Sequence, residues 1–168
     1  MPILIILGAG GHGQVVADIA RQMNRYDSVL FLDDNADIAV GPCSDFIKYK
    51  SFDVEMYPAF GNNLARVEWE MKLLKEGFTL AKIIHPLAYI SPESTVSEGS
   101  VCMPYSVINT GCEVDMACII NCGAILDHDC TLEAGCHIAP GGIVKGGNHL
   151  PPFTKVDSGE VIERDSLK

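Results

Sequence analysis

From Ile83 to Asn148 the chain repeats every six residues with no slip in phase. The second place of each hexad holds Ile84, Ile90, Val96, Cys102, Ile108, Val114, Ile120, Leu126, Leu132, Ile138 and Val144. The sixth place holds Ala88, Ser94, Ser100, Ser106, Cys112, Cys118, Ala124, Cys130, Cys136 and Gly142, all small, and then Asn148. A period of six matches neither a helix of 3.6 residues per turn nor a two-residue strand alternation. It matches short strands joined by tight corners, with one aliphatic residue pointing inward and one small residue in the crowded corner. A single hexad cannot bury its own face, so it must stack on copies of itself. The pattern predicts a parallel β-helix with three hexads to the coil, which stacks each residue on the one eighteen positions later.

The same phase accounts for most of the cysteines. Seven in 168 residues invite a disulfide or metal reading. Four of them, however, sit at the small sixth place and Cys102 at the inward second place. Cysteine is a small hydrophobe that fills tight buried slots. No CxxC occurs, and an odd count argues against a disulfide framework. Packing is the expected role, with no metal bound.

The formal charge of −10 argues against nucleic acid or an anionic membrane as partner. A phosphorylated substrate would need local donors. The apolar run at the start is too short to span a bilayer and has no signal-peptide flanks, so a cytoplasmic location is expected.

Before the repeat the pattern is α/β. Residues 3–7 form a continuous apolar run, as in a buried parallel strand. Gly8-Ala9-Gly10-Gly11-His12-Gly13 follows, then a helical pattern from Gln14 to Met23. Strand, glycine-rich turn and helix form the setting of a phosphate-binding loop, because the helix start offers free N–H groups to an anion. A second strand, Ser28–Leu32, ends in Asp33-Asp34, an acidic pair placed to meet a ribose or base edge. Short strands are expected near Phe46–Tyr49 and Tyr57–Phe60, and a helix over Leu64–Glu76. Gly61-Asn62-Asn63 is then a second strand-to-helix loop on the carboxyl edge of the sheet, where ligands bind in open α/β sheets. Only half of a dinucleotide domain fits before residue 83, so a mononucleotide or nucleotide-sugar is favoured over NAD. The divisions are residues 1–82, an α/β nucleotide-sugar-binding half domain expected to pack on the open end of the β-helix; 83–150, the β-helix; and 151–168, a closing segment.

Most hexads keep a small or polar residue at places four and five, and one departs. Ile125-Leu126-Asp127-His128-Asp129-Cys130 places His and Asp at places four and five. A histidine oriented by a carboxylate is a general-base arrangement near neutral pH. Gly146 lies eighteen residues on, one coil above His128 at about 4.8 Å. There a glycine leaves room for a ligand atom and exposes an N–H to an oxyanion. His137 opens its hexad with no orienting partner evident.

The pairing of a Gly-His-Gly loop with a hexapeptide β-helix resembles the sialic acid O-acetyltransferase/bacillosamine N-acetyltransferase family of sugar acyltransferases. GAGGHG at 8–13, FLDD at 31–34, GNN at 61–63, MPYSVIN at 103–109 and NCGAILDHDC at 121–130 carry the resemblance. It implies a left-handed β-helix, a homotrimer, acetyl-CoA as donor and a nucleotide-activated amino sugar as acceptor. It further implies His128 as base, Asp129 as its orienter, and His137 and Gly146 as cofactor contacts. On the acceptor side it implies Gly10, Gly11, His12, Gly13, Asp33 and Asn62. The chain departs from the family after Gly146, where further coils are expected and a segment beginning His149-Leu150-Pro151-Pro152 stands instead. The expected activity is acetyl transfer to the amine or hydroxyl of a nucleotide-sugar in surface-glycan precursor synthesis. The rival is a non-catalytic nucleotide-sugar-binding trimer whose shortened helix no longer holds acetyl-CoA. A metal-dependent hydrase would need three converging histidines, which the spacing does not supply.

Overall fold

The computed structural model describes residues 1–164. Its first part is a parallel sheet in the order β2-β1-β3-β4, formed by β1 (Ile3–Leu7), β2 (Ser28–Leu32), β3 (Val54–Pro58) and β4 (Thr79–Leu80). Leu4 to Leu7 are fully buried because the sheet is covered on both sides. Helix α1 (Gly11–Gln22) lies on one side. Helix α2 (Asn63–Lys75) and a 3₁₀ helix, Cys43–Tyr49, lie on the other. The strand expected near Phe46–Tyr49 is therefore this 3₁₀ helix, whose Phe46 packs into the core while Ile47 stays exposed.

From Ile83 the chain winds into a parallel, left-handed β-helix of two-residue strands. Three faces result. Face one stacks Ile83–Ile84, Val101–Cys102, Ile119–Ile120, His137–Ile138 and Lys155–Val156. Face two stacks Tyr89–Ile90, Val107–Ile108, Ile125–Leu126, Ile143–Val144 and Val161–Ile162. Face three stacks Thr95–Val96, Glu113–Val114, Thr131–Leu132 and His149–Leu150. Every register is eighteen residues. The second-place aliphatics and the sixth-place cysteines form one interior column, with Cys112, Cys118, Cys130 and Cys136 at most 1% exposed.

The coil does not stop at Asn148. His149–Leu150, Lys155–Val156 and Val161–Ile162 each extend a face in phase, with Leu150 and Val156 fully buried. The segment read as a closing element is thus another coil as far as the described residues reach; residues 165–168 lie outside them. Its corner carries Pro151, Pro152 and Phe153, a Pro-Pro-aromatic run at no other described corner of the coil, which hid the repeat.

Place five of each hexad is left-handed from Gly99 onward. It is glycine at Gly99, Gly111, Gly123, Gly135, Gly141, Gly147 and Gly159, and Tyr105, Ala117, Asp129 and Phe153 elsewhere. A positive φ costs a side-chain-bearing residue strain, least for Asp and Asn. The tight corner requires that conformation, so glycine prevails.

The α/β part does not cap the open end of the coil. It lies along its side. Val16, Ile19 and Ala20 of α1 share one core with Ile83, Val101, Met103 and Ile119 of face one. At the corner between faces three and one, the fully buried Arg66 of α2 donates to the carbonyls of Ala117 and Gly135. Beside it Glu70 is also fully buried, with neither carboxyl oxygen hydrogen-bonded among the described residues. A Cβ at Gly99 would collide with that carboxyl.

Burial drives the Glu70 pKa from 4.5 up to about 8, against the pull of Arg66 and with Asp115 adding to the rise. The folded protein therefore holds a proton that the unfolded chain gives up. Stability falls by up to about 1.4 kcal/mol per pH unit as pH rises between those two values. We expect Glu70→Gln to flatten urea-derived stability between pH 5 and 8 and to gain a few kcal/mol over wild type at the upper end. Parallel stability curves would show that Glu70 does not carry the proton.

Candidate active site

Two groups of predicted residues come together, on different corners of the coil. The first is at the glycine-rich loop between β1 and α1. Helix α1 starts at Gly11, behind Gly10, which makes no side-chain cap. Its first-turn amides are thus oriented to meet an anion. A Cβ on Gly10 or Gly11 would meet nothing within 4 Å, so the backbone there is open to a ligand. Gly13 is different, because a Cβ there would run into the Gly8 carbonyl. It allows α1 to pack closely on β1.

A cleft of ≈ 280 Å³ opens beside this loop, lined by Gly11, His12, Val15, Gly61, Met103, Ile119, Asn121, Cys122 and His137. It sits where face one turns into face two. Burial lowers the pKa of His12 to about 4, with Arg66 and His137 adding to the effect. Burial likewise lowers that of His137 to about 4, helped by Arg66 and Lys155. Both rings are neutral at physiological pH, and His12 Nε2 is buried with no hydrogen-bond partner among the described residues. Asn121 Nδ2 donates to His137 Nε2 at 3.3 Å, which leaves the ring proton on Nδ1. Asn121 is the orienting partner that the sequence reading did not find. It lies two residues past Ile119, which stacks directly under His137, so the eighteen-residue register could have pointed to it.

The second group is the His–Asp corner, where face two turns into face three. Asp129 Oδ2 accepts from His128 Nδ1 at 2.7 Å. Two glycines make the space for this pair. A Cβ on Gly146, one coil above, would stand 2.7 Å from His128 Nε2 and 2.8 Å from Cε1. The room predicted there for a ligand atom is therefore taken by the imidazole. A Cβ on Gly111, one coil below, would collide with the Asp129 carboxylate. The left-handed backbone of Asp129, φ 57°, turns its carboxylate back onto the imidazole. Among the described residues Nε2 has no hydrogen-bond partner, and it lies on an exposed edge. The Asp129 hydrogen bond, followed by the charge of Asp127, raises the His128 pKa above its ordinary 6.5.

His128 is not in the His12–His137 cleft. Face one is covered by the α/β part, and the His–Asp corner joins the other two faces. The cleft and the His128–Asp129 pair therefore flank face two from opposite edges.

A model of the PglD N-terminal domain matches residues 3–73. The acetyltransferase domain of PglB from Neisseria gonorrhoeae, in complex with acetyl coenzyme A, superposes with a TM-score of 0.90 at 31% identity. That match covers 95% of this chain and 80% of the other. The chain belongs to the hexapeptide-repeat sugar acetyltransferase family. A variant of perosamine N-acetyltransferase from Caulobacter crescentus, in complex with CoA and GDP-perosamine, matches at 27% identity and TM-score 0.85, covering 98% of this chain and 90% of that one. WeeI from Acinetobacter baumannii, at 18% identity and TM-score 0.73, shares the fold.

In this acetyltransferase-family chain the remaining predicted residues already have structural partners. Asp33 Oδ2 accepts from the Ala9 amide at 2.8 Å and Oδ1 from Asn35, so Asp33 shapes the glycine loop from behind. These bonds hold its carboxyl below the usual range. Asn62 Oδ1 accepts from the Ala65 amide and caps α2. Its amide nitrogen stays on the exposed loop.

A base must be unprotonated to act. If His128 is the base, its raised pKa means that activity rises only as pH climbs past a value above 6.5. Asp129→Asn removes the largest cause of that rise, so the acid limb of kcat/KM should move to lower pH as maximal kcat drops. An unmoved limb would mean that His128 is not the group titrating.

Proposed function

We propose that this protein transfers an acetyl group from acetyl-CoA to a nucleotide-activated sugar, with His128 as general base. The observation that carries the reading is the 2.7 Å His128–Asp129 pair, with its second ring nitrogen free on an exposed corner. The uncharged cleft beside the open helix start of α1 suits the nucleotide and sugar. The relatives bound to acetyl coenzyme A, to CoA and to GDP-perosamine support the same substrates. A coil continuous through Ile162 makes the helix one turn longer than the sequence suggested, which favours the catalytic reading over a non-catalytic one.

Asp129 fixes the imidazole through Nδ1, and Nε2 takes the proton as the acceptor attacks the thioester carbonyl. The protonated ring then returns the proton to the departing CoA sulfur. No covalent enzyme intermediate is needed.

Cleft and base meet if the protein works as a homotrimer around face two. The outward first-place residues of that face are Tyr89, Val107, Ile125, Ile143 and Val161, all apolar, whereas face three presents Thr95, Glu113, Thr131 and His149. An apolar stripe of this kind seeks a partner. A threefold arrangement about it sets the His–Asp corner of one copy against the His12–His137 cleft of the next. Among the described residues no helix is long and apolar enough to cross a membrane. Use of acetyl-CoA and a nucleotide-sugar suits the cytoplasm and precursor supply for surface glycans.

The test is purified protein with acetyl-CoA and a panel of UDP- and GDP-linked amino sugars, read as CoA thiol released against acetylated sugar formed. Matched release of both is expected for at least one acceptor. Thiol release no faster than background hydrolysis across the panel would refute the reading.

A further inference from the structure

The mechanism above leaves one residue of the His–Asp hexad unused. Asp127 occupies the same exposed corner, one position before the base. Its Oδ1 accepts from Asn109 Nδ2 at 3.4 Å, from the coil below. Its Oδ2 stands 4.0 Å from His128 Nε2, the nitrogen that takes the proton. The His128 amide, then the imidazole, Asn109 and the Gly146 amide favour its ionised form, so it is an anion at neutral pH. The cation stacked above it, Lys145, is turned to Glu163 at 2.5 Å.

A nitrogen placed about 2.9 Å from both Nε2 and Oδ2 would see them roughly 90° apart, an angle that two N–H bonds of one amine can serve. A hydroxyl has a single hydrogen and can donate to only one of the two. An amino sugar also arrives as an ammonium, which a carboxylate attracts more strongly than a neutral imidazole does.

We propose that Asp127 is the specificity residue that reads the acceptor as an amine, on the reading that acetyl transfer occurs at His128. The ammonium docks with one N–H on Asp127 Oδ2 and one on His128 Nε2. His128 takes the first proton and passes it to water across its exposed edge. The neutral amine attacks the thioester carbon and forms the C–N bond. His128 removes the second proton, the C–S bond breaks, and the thiolate recovers that proton. The sum is ammonium plus acetyl thioester giving amide, thiol and one released proton.

Calorimetry tests the assignment without relying on turnover. The ligands are a UDP- or GDP-linked amino sugar and the same sugar with a hydroxyl in place of the amine. Wild-type protein at pH 7 should bind the amine about tenfold tighter or more, as a charge-assisted hydrogen bond allows. In Asp127→Asn, which keeps the side-chain shape, the preference should fall to about threefold or less. In kinetics that variant should raise KM for the amino sugar more than it lowers kcat. Wild-type protein that binds the amine no tighter than the alcohol, or binds neither, overturns the assignment, whether or not the variant folds. A preference that survives in Asp127→Asn also overturns it. Selective amine binding that Asp127→Asn abolishes, without acetyl transfer, upholds Asp127 as the amine-reading residue and removes the transferase reading.

Discussion

His128→Ala should lower turnover by about 10²- to 10⁴-fold while nucleotide-sugar binding stays within a few-fold of wild type. The separation follows from where the groups lie. The glycine loop and the His12–His137 cleft are at one edge of face two, and the proposed base is at the other. Removing the imidazole takes away the proton acceptor and touches none of the cleft. Wild-type turnover in His128→Ala would remove it from the mechanism. A second experiment addresses the proposed site between copies. Chains carrying His128→Ala and chains carrying His137→Ala, each inactive alone, should regain activity when co-assembled, because some interfaces then join an intact corner to an intact cleft. No regain over either parent would place both groups in separate sites.

Arg66→Ala should cost roughly 3–5 kcal/mol of stability, measured by urea unfolding. The guanidinium donates to the Ala117 carbonyl at 2.7 Å, the Phe60 carbonyl at 2.8 Å, Asn63 Oδ1 at 2.9 Å and the Gly135 carbonyl at 3.1 Å. Two of these acceptors belong to the coil, one to the loop before α2 and one to α2 itself. Truncation leaves all four without their donor in a buried seam. Lysine is a poor substitute, since an ammonium cannot fork to acceptors on several sides at once. A loss below about 1 kcal/mol would mean that water reaches the seam and replaces the donor.

The β-helix was legible because its physics is local and periodic. Each hexad needs one inward aliphatic and one small corner, and neither demand depends on the rest of the fold. Counting eighteen residues also placed Gly146 over His128. The count did not reveal which atoms fill the space, and the imidazole takes the room assigned to a ligand. Gly111 under Asp129 was missed because glycine at place five is common along the coil and carries no distinguishing mark. Arg66 and Glu70 were unreadable for another reason. On a helix that faced solvent they would be ordinary surface charges, and only docking of α2 on the coil buries them. Pro151, Pro152 and Phe153 disguised the last coil in the same way, since their hexad keeps the inward Leu150 but not the usual corner.

The left-handed fifth place has a consequence for how such a chain can change. Composition along the coil can drift, because aliphatic, cysteine and serine residues interchange at the inward and corner places. Length cannot drift freely. One residue inserted between Asp129 and Gly146 would rotate every later hexad, bring a side-chain-bearing residue against the His128 ring and put non-glycine residues into the left-handed corners. Three added hexads would restore the phase and leave the pair seated. Growth and loss in this protein are therefore quantised in whole coils, and the His128–Asp129 corner sets the origin of the count.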